Sequence, residues 1–498
     1  MKFTSLPRGV PGTKASEGAA PRALWMDPAI LRENPFWQYE AGKVVLGGAP
    51  SSAAREDTAH LIGIRDNRHL MTVAGSRAGK GTSVIIPNLL TYTGSVLVID
   101  PKGENAKETA ERRGHGRGIE AGGMGHDVYV IDPFRTADVP EEYRAGFNPF
   151  AALDPDSDTF IDDCDGIADG LVMSEPGKGG SDGDHWINAA RMVLRGFVAW
   201  VATWPEARSR DLNELRRLLY LPPDDTDDGE GFEGLLAEMS VSPEMAHGIP
   251  AETANALLGM GLRERGSVLS TVRNNIQFLS SPPMAATLSG TQRSVDLVKW
   301  KHGGASVYLC LPAGRLHTHS RFFRLFLNRL LAAIELDRRE PEVPALIIMD
   351  EMHVLGRMAA LETAAGLLAG FGVRLWSIWQ DMSQLKDLYS DRWETFMGNA
   401  GLLQFFGVND LTTLKYISER LGTSSVMSIS QGEISEQQVA LGFTGRSSSI
   451  QAAPLLSPEE VGYYFSRQSD NQLIFYPGAD PVFARRVPYW DDVYKRVR

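Results

Sequence analysis

Eight short, mostly apolar runs that alternate with longer helical stretches constrain this chain more than any other feature. The runs are Leu70–Val73, Val96–Ile99, Val128–Ile131, Ser306–Leu311, Ala345–Met349, Arg374–Ile378, Leu402–Phe406 and Leu473–Tyr476. A strand that is apolar on both faces must be covered on both, and intervening helices supply the cover. The expected fold class is therefore α/β, a mainly parallel sheet flanked by helices. Five of the runs lead into Asp, Gln or a glycine loop. In such sheets the carboxyl ends of the strands are where ligands sit.

The stretch from 153 to 297 has a different texture. Trp186, Ala189, Ala190, Val193, Leu194 and Phe197 recur at helical spacing, and β-branched or alternating runs are scarce. An all-α insertion between two strands is expected there. The expected organisation is an extended lead-in over 1–52, a sheet domain over 53–152 and 298–498, and the all-α domain over 153–297. The lead-in carries one aromatic patch, Asn34-Pro35-Phe36-Trp37. Leu421 to Gly442 is rich in Ser, Gly, Gln and Glu, and is expected to be an exposed excursion. Ser457-Pro458-Glu459-Glu460 then offers a capping box with proline at the first helical position.

The 498 residues carry a formal net charge of -12. That argues against a broad basic face for nucleic acid, but not against a pore lined by a few basic residues. Two cysteines, Cys164 and Cys310, make neither a disulfide framework nor a metal motif. No run approaches the roughly 18 apolar residues of a membrane-spanning helix. The best candidate, Met192 to Trp204, is interrupted by Arg195. The expected location is cytoplasmic, with any contact at the inner membrane made through partners.

One strand opens into a glycine-rich loop and then a helix: His69-Leu70-Met71-Thr72-Val73-Ala74-Gly75-Ser76-Arg77-Ala78-Gly79-Lys80-Gly81-Thr82. Small residues let backbone N–H groups close round phosphate oxygens, and the helix aims its positive end at the same anion. Lys80 adds a mobile point charge for the terminal phosphates. The pattern departs from G-x-x-x-x-G-K-[ST] at two places. Ala74 replaces the first glycine, and Gly81 holds the hydroxyl position, with Thr82 next along. An ordinary glycine turn is the alternative. Residues 75–82 (Gly75, Ser76, Arg77, Ala78, Gly79, Lys80, Gly81 and Thr82) form the candidate ATP cradle.

A second strand, Ala345–Met349, ends in Asp350 and Glu351. The first carboxylate can hold Mg²⁺, with Thr82 as a second ligand, and the second can orient or deprotonate the attacking water. The alternative is an acidic helix start favoured by the dipole. The strand ending at Trp379 presents Gln380, which can sense the γ-phosphate or help hold the water. ATP hydrolysis with Lys80, Asp350, Glu351 and Gln380 as the catalytic set is the expected chemistry, with both segments reaching one triphosphate.

Other residues carry weaker signals. Lys102 and Glu104 either line the pocket or pair with each other. His317 and His319 lack a third ligand for a metal. Gly177-Lys178-Gly179-Gly180-Ser181 mimics a phosphate loop without a preceding strand. Asp224 to Gly231 has Thr226 at the third position, where a calcium loop needs an acidic or amide residue, so a solvated acidic loop is expected. Trp186 is expected in a core.

These motifs together resemble one family. Ala74 to Gly81, Ile86-Pro87-Asn88-Leu89-Leu90, Asp100-Pro101-Lys102-Gly103-Glu104, Asp132-Pro133-Phe134, Phe147-Asn148-Pro149-Phe150, Trp186, Asp350-Glu351, Gln380 and Pro454 to Glu460 look like the coupling ATPases of type IV secretion and conjugation, the TraG/TraD-like proteins. The likeness runs from about Asp66 onward, and Gly81 is shared by that family. It implies a RecA-like P-loop NTPase with an all-α domain that receives substrate, acting as a hexameric ring. It implies a relaxase–DNA complex or effector protein as cargo, secretion-channel components as partners, and contact with single- or double-stranded DNA. Arg374, Arg321 and Arg324 are candidates for a trans-acting arginine. Members usually begin with transmembrane helices, and no such stretch occurs in these residues. A FtsK/HerA-like DNA-translocating ATPase outside secretion shares the same ATP chemistry, and a scaffold that binds ATP as a structural switch is the non-enzymatic alternative.

Overall fold

The computed structural model describes residues 23–50, 60–115, 122–172, 181–205, 208–223, 231–302, 304–355, 366–431 and 446–496. In chain order the strands are β1 Val44–Gly48, β2 Leu61–Ile64, β3 His69–Ala74, β4 Val96–Ile99, β5 Asp127–Ile131, β6 Ala305–Leu309, β7 Ala345–Met349, β8 Val373–Trp379, β9 Ala400–Phe406, β10 Thr423–Gln431, β11 Arg446–Pro454, β12 Asn471–Phe475 and β13 Val482–Arg485. All eight apolar runs are strands, each within two residues of its expected bounds. The chain divides into two compact units, residues 1–92 with 376–498, and residues 93–375.

In the first unit β3 lies between β8 and β9 and is parallel to both, with Val73 level with Trp379 and with Phe405. Beyond β9 the pairing turns antiparallel: β12 against β9, β13 against β12, β1 against β13 and β2 against β1. Leu473–Tyr476 therefore belongs to an antiparallel extension rather than to the parallel core. The lead-in expected over 1–52 needs a similar correction. Residues 28–33 are helical and β1 is a fully buried strand of the sheet. Periodicity alone misses β1, because Gly47 and Gly48 dilute a five-residue strand. Its packing explains them: a Cβ on Gly47 would stand 2.2 Å from Gln472 Nε2 and 2.3 Å from the Arg485 carbonyl oxygen.

The segment 421–442, expected to be an exposed excursion, carries strand β10, which pairs antiparallel with β11 from Thr423↔Pro454 to Gln431↔Arg446; residues 432–442 lie outside the described residues. Its serines hid a strand whose partner lies just beyond the expected segment. The capping box forms as expected. The Ser457 hydroxyl accepts from Glu460 N at 3.3 Å, and the Glu460 carboxylate accepts from Ser457 N at 3.0 Å.

In the second unit β7, β4, β6 and β5 are neighbours in that order and all parallel. β4 and β7 are at most 1% exposed throughout, as strands covered on both faces must be. Between β5 and β6 every long element among the described residues is a helix, including Phe160–Leu171, Ser181–Ala202, Ile249–Gly259 and Leu262–Asn275. Val193, Leu194 and Phe197 are fully buried, and Trp186 is only half-buried. Residues 177–180 and 224–230 lie outside the described residues.

Candidate functional site

The phosphate loop grows directly from β3. Ala78 N donates to the Gly75 carbonyl at 3.1 Å, closing a tight turn, while Gly75 N reaches the Phe406 carbonyl at the end of β9 at 3.4 Å. Two glycines make this approach possible. A Cβ on Gly75 would lie 2.1 Å from the Gly407 oxygen, and one on Gly407 would lie 2.3 Å from the Ala78 Cβ. Gly79 has φ +89° and Arg77, at the exposed tip, has φ +55°. A non-glycine residue in the left-handed region is uncommon and is held there by its surroundings.

Lys80 caps a widened helical turn, Gly81–Ile85, which continues as the α-helix Ile86–Thr91. Pro87 has no N–H for the Ser83 carbonyl, and the turn before it adopts the wider π spacing. Buried Asn88 clamps this helix to β1: its Oδ1 accepts from Val45 N at 2.7 Å, and its Nδ2 donates to Val45 O at 2.9 Å and to Val84 O at 2.8 Å.

The loop fits a Mg²⁺–triphosphate in its donor set. Thr82 Oγ1 gives its proton to the Gly79 carbonyl at 3.2 Å, which leaves oxygen lone pairs for a cation. A Cβ on Gly81 would meet nothing within 4 Å. Neighbouring protein atoms therefore do not exclude Ser or Thr at 81, and the glycine leaves open space at the helix mouth. Gln380 follows β8, and the Val73↔Trp379 register puts it level with the end of β3 beside the loop. Its backbone N–H donates to Gln384 Oε1 at 3.2 Å.

In the second unit the Ile99↔Met349 register sets Asp100 and Asp350 side by side at the carboxyl ends of β4 and β7. Asp132 follows β5 in the same way. The three acids differ in what they do. Asp100 caps the next helix: Oδ2 accepts from Ala106 N at 2.8 Å and Oδ1 from Asn105 Nδ2 at 3.2 Å. Asp132 Oδ2 accepts from Ala137 N at 2.8 Å and from Arg144 Nη1 at 3.5 Å. Both Asp-Pro pairs are thus loop staples. Asp350 is half-buried, and Glu351 has φ +71° with Oε2 3.5 Å from His353 Nδ1. That conformation is the local sign of constraint at the acid pair, and nothing in the sequence announces it.

Burial, and then the neighbouring Asp350 charge among the smaller causes, pushes the Asp100 carboxyl up to about 7. Its ordinary value is 3.8. Between about pH 4 and 7 the folded chain keeps a proton that the unfolded chain has lost. Stability therefore falls as pH rises through that window, by about 1.4 kcal/mol per pH unit for one proton. Thermal unfolding of Asp100→Asn beside wild type from pH 4.5 to 7.5 should show wild type losing ground steadily as pH rises. A constant difference would mean that Asp100 titrates normally.

The remaining candidates fall elsewhere. Lys102 and Glu104 are exposed at the start of the helix Glu104–Arg113. His319 is buried against Phe134, with Nδ1 near Thr318 Oγ1 at 2.6 Å and the Arg315 carbonyl at 3.3 Å. Arg374 is 3% exposed within β8, and Arg321 donates to Leu171 O and to Asn275 Oδ1, both at 3.1 Å. Burial holds the Arg324 guanidinium below its ordinary pKa. Arg374 is sealed inside the sheet, and Arg321 is tied down within its own unit.

The profile of the family described as Type IV secretory system Conjugative DNA transfer matches residues 33–497. The chain belongs to this family. It is 28% identical to protein VirD4 of Agrobacterium fabrum over 85% of the chain and 59% of VirD4. It is 26% identical to a probable conjugal transfer protein TraG of Sinorhizobium fredii over 96% of the chain and 72% of that protein. The chain thus spans little more than half the length of VirD4. Among solved structures, the plasmid coupling protein TrwB in complex with ADP and Mg²⁺ superposes with a TM-score of 0.57 at 16% identity, over 90% of each chain. That likeness shows that the chain shares the fold of TrwB, as the expected α/β class requires. The family match favours conjugative coupling over a FtsK/HerA-like motor outside secretion. No helix among the described residues is long and apolar enough to cross a membrane.

Proposed function

We propose that this chain is the ATPase of a type IV secretion coupling system, recruiting DNA–protein or protein cargo and driving its transfer to a secretion channel by ATP hydrolysis. The family match across residues 33–497 carries this reading. TrwB, which shares the fold, was solved with ADP and Mg²⁺ and with a non-hydrolysable ATP analogue. Residues 75–82 supply the kind of loop such a ligand needs.

In this reading the loop amides bind the phosphates, and Lys80 holds the terminal pair in line. Asp350 and Thr82 would hold Mg²⁺, which would supply positive charge to offset the charge developing on the phosphates. Glu351 takes the proton of the attacking water at its carboxylate, and Gln380 orients that water. The helical stretch 153–297 serves as the all-α cargo-receiving domain, and the active form is a hexameric ring at the inner membrane, held there by channel components.

The test is transfer in a donor strain whose own copy of this gene is deleted. Restoring the wild-type gene should return conjugal or effector transfer by at least a hundredfold over the deletion. Affinity-tagged protein should copurify with relaxase, relaxase-bound DNA or an effector. Unchanged transfer in the deletion strain would reject the assignment.

A further inference from the structure

We propose that Arg486 is the positioning residue that holds the phosphate loop in its anion-receiving shape, through its guanidinium bond to the Ala78 carbonyl. This deepens the preceding reading and rests on residues 75–82 being the nucleotide loop.

A loop that turns its N–H groups inward to an anion must turn carbonyls outward, and each outward carbonyl needs a donor. Ala78 is the buried residue on the back of the loop, and its oxygen accepts from Arg486 Nη1. The same guanidinium donates through Nη2 to the Ser469 and Arg467 carbonyls. It lies 5.0 Å from the ring centroid of Phe406, whose own carbonyl accepts from Gly75 N. Arg486 thus touches structure on both flanks of the loop. Its Nη1 would stand 3.5 Å from a Cβ placed on Gly79. A permanent cation at that spot also adds to the positive field of the loop.

The position of Arg486 is fixed from several directions. Its backbone N donates to Asp470 O at 2.6 Å. The preceding carbonyl, of Arg485, accepts from buried Gln472 Nε2 at 3.0 Å. Gln472 is the last member of a buried chain that crosses the sheet beneath the loop. Trp376 Nε1 donates to Thr72 Oγ1 at 2.9 Å, Thr72 donates to Gln404 Oε1 at 2.8 Å, and Gln404 donates to Gln472 Oε1. Buried polar groups linked this way lock one arrangement, because any break leaves a group unsatisfied. Three residues after Arg486, Tyr489 N donates to Thr82 O at 2.8 Å. The C-terminal strand and its exit therefore brace the phosphate loop at Ala78 and at Thr82.

The experiment measures equilibrium binding of a fluorescent ATP analogue with Mg²⁺ to the full chain, together with hydrogen exchange of peptides covering residues 70–85. Three variants are used. Arg486→Met keeps the packing on Phe406 and loses every donor. Arg486→Lys keeps the charge and reaches fewer carbonyls. Lys80→Ala reports on the loop itself. Arg486→Met should weaken binding at least tenfold, Arg486→Lys by a smaller factor, and loop exchange should quicken in the same order without nucleotide. Wild-type affinity and loop exchange in Arg486→Met would overturn the proposal. If that variant does not fold, wild-type behaviour of Arg486→Lys overturns it. Lys80→Ala separates the two levels. If it weakens binding while the Arg486 variants do not, only the role of Arg486 fails. If Lys80→Ala binds like wild type, the nucleotide site itself has been misplaced.

Discussion

Lys80→Ala is expected to lower ATP turnover by about 10²- to 10³-fold, the usual cost of removing one preorganised charge from a developing transition state. Transfer should fall with it. The fold should survive. Lys80 already has helical geometry, φ -57° and ψ -45°, at the mouth of the helix, and alanine is the residue most at ease there. It is only half-buried, so the change in stability should stay within about 1 kcal/mol. Circular dichroism and the thermal midpoint check the second half of the claim, and steady-state phosphate release checks the first. A variant that loses its fold would show that Lys80 is a structural lysine. A folded variant with undiminished turnover would show that the phosphates are held elsewhere. Nucleotide affinity should fall less than turnover, because the loop amides and the helix end remain.

The parallel strands were legible because burial on both faces leaves a continuous apolar signature. β4 and β7 show it at its clearest, four and five residues long with no polar interruption. Of the antiparallel extension beyond β9, only β12 was legible, as the run Leu473–Tyr476. β1 is shortened by glycines, and β13 reads as Val-Phe-Ala-Arg, too brief to show a period. Much of what holds β12 and β13 is polar. Gln404 and Gln472 are at most 1% exposed inside the sheet, where a sequence pattern would expect apolar side chains. Their hydrogen bonds to each other, to Thr72 and to the Leu46 and Arg485 carbonyls make them tolerable there.

The candidate site divides along a similar line. A glycine-rich loop after a strand is a local motif, so Gly75 to Thr82 could be named without a fold. The three strand-end aspartates could not be ranked locally. Asp100 and Asp132 each precede a proline and close their own loops, while Asp350 precedes a glutamate in a left-handed conformation. Arg486 carried no signal at all. It lies more than 400 residues from Ala78 in sequence, and only the path of β12 and β13 back across the sheet brings the two together.

Glu351→Gln carries the other large expectation, a fall in turnover of about 10²- to 10⁴-fold with nucleotide affinity kept near wild type. The amide matches the carboxylate in shape and keeps an acceptor oxygen for a water, but it cannot take a proton near neutral pH. Glutamine places no greater demand on the positive φ at 351 than glutamate does, so the backbone cost is shared and cancels. Asp350→Asn should behave differently. Its loss should appear as weaker Mg²⁺-dependent binding, because the charge it removes is the one assigned to the cation. The two neighbours are therefore separable by one pair of measurements, phosphate release at saturating ATP and a Mg²⁺ titration of nucleotide binding. Equal turnover in Glu351→Gln and wild type would leave the chain as a nucleotide-responsive scaffold. A Glu351→Gln protein that binds ATP and cannot turn it over would show that the carboxylate after β7, held in its constrained backbone, is where the water is activated.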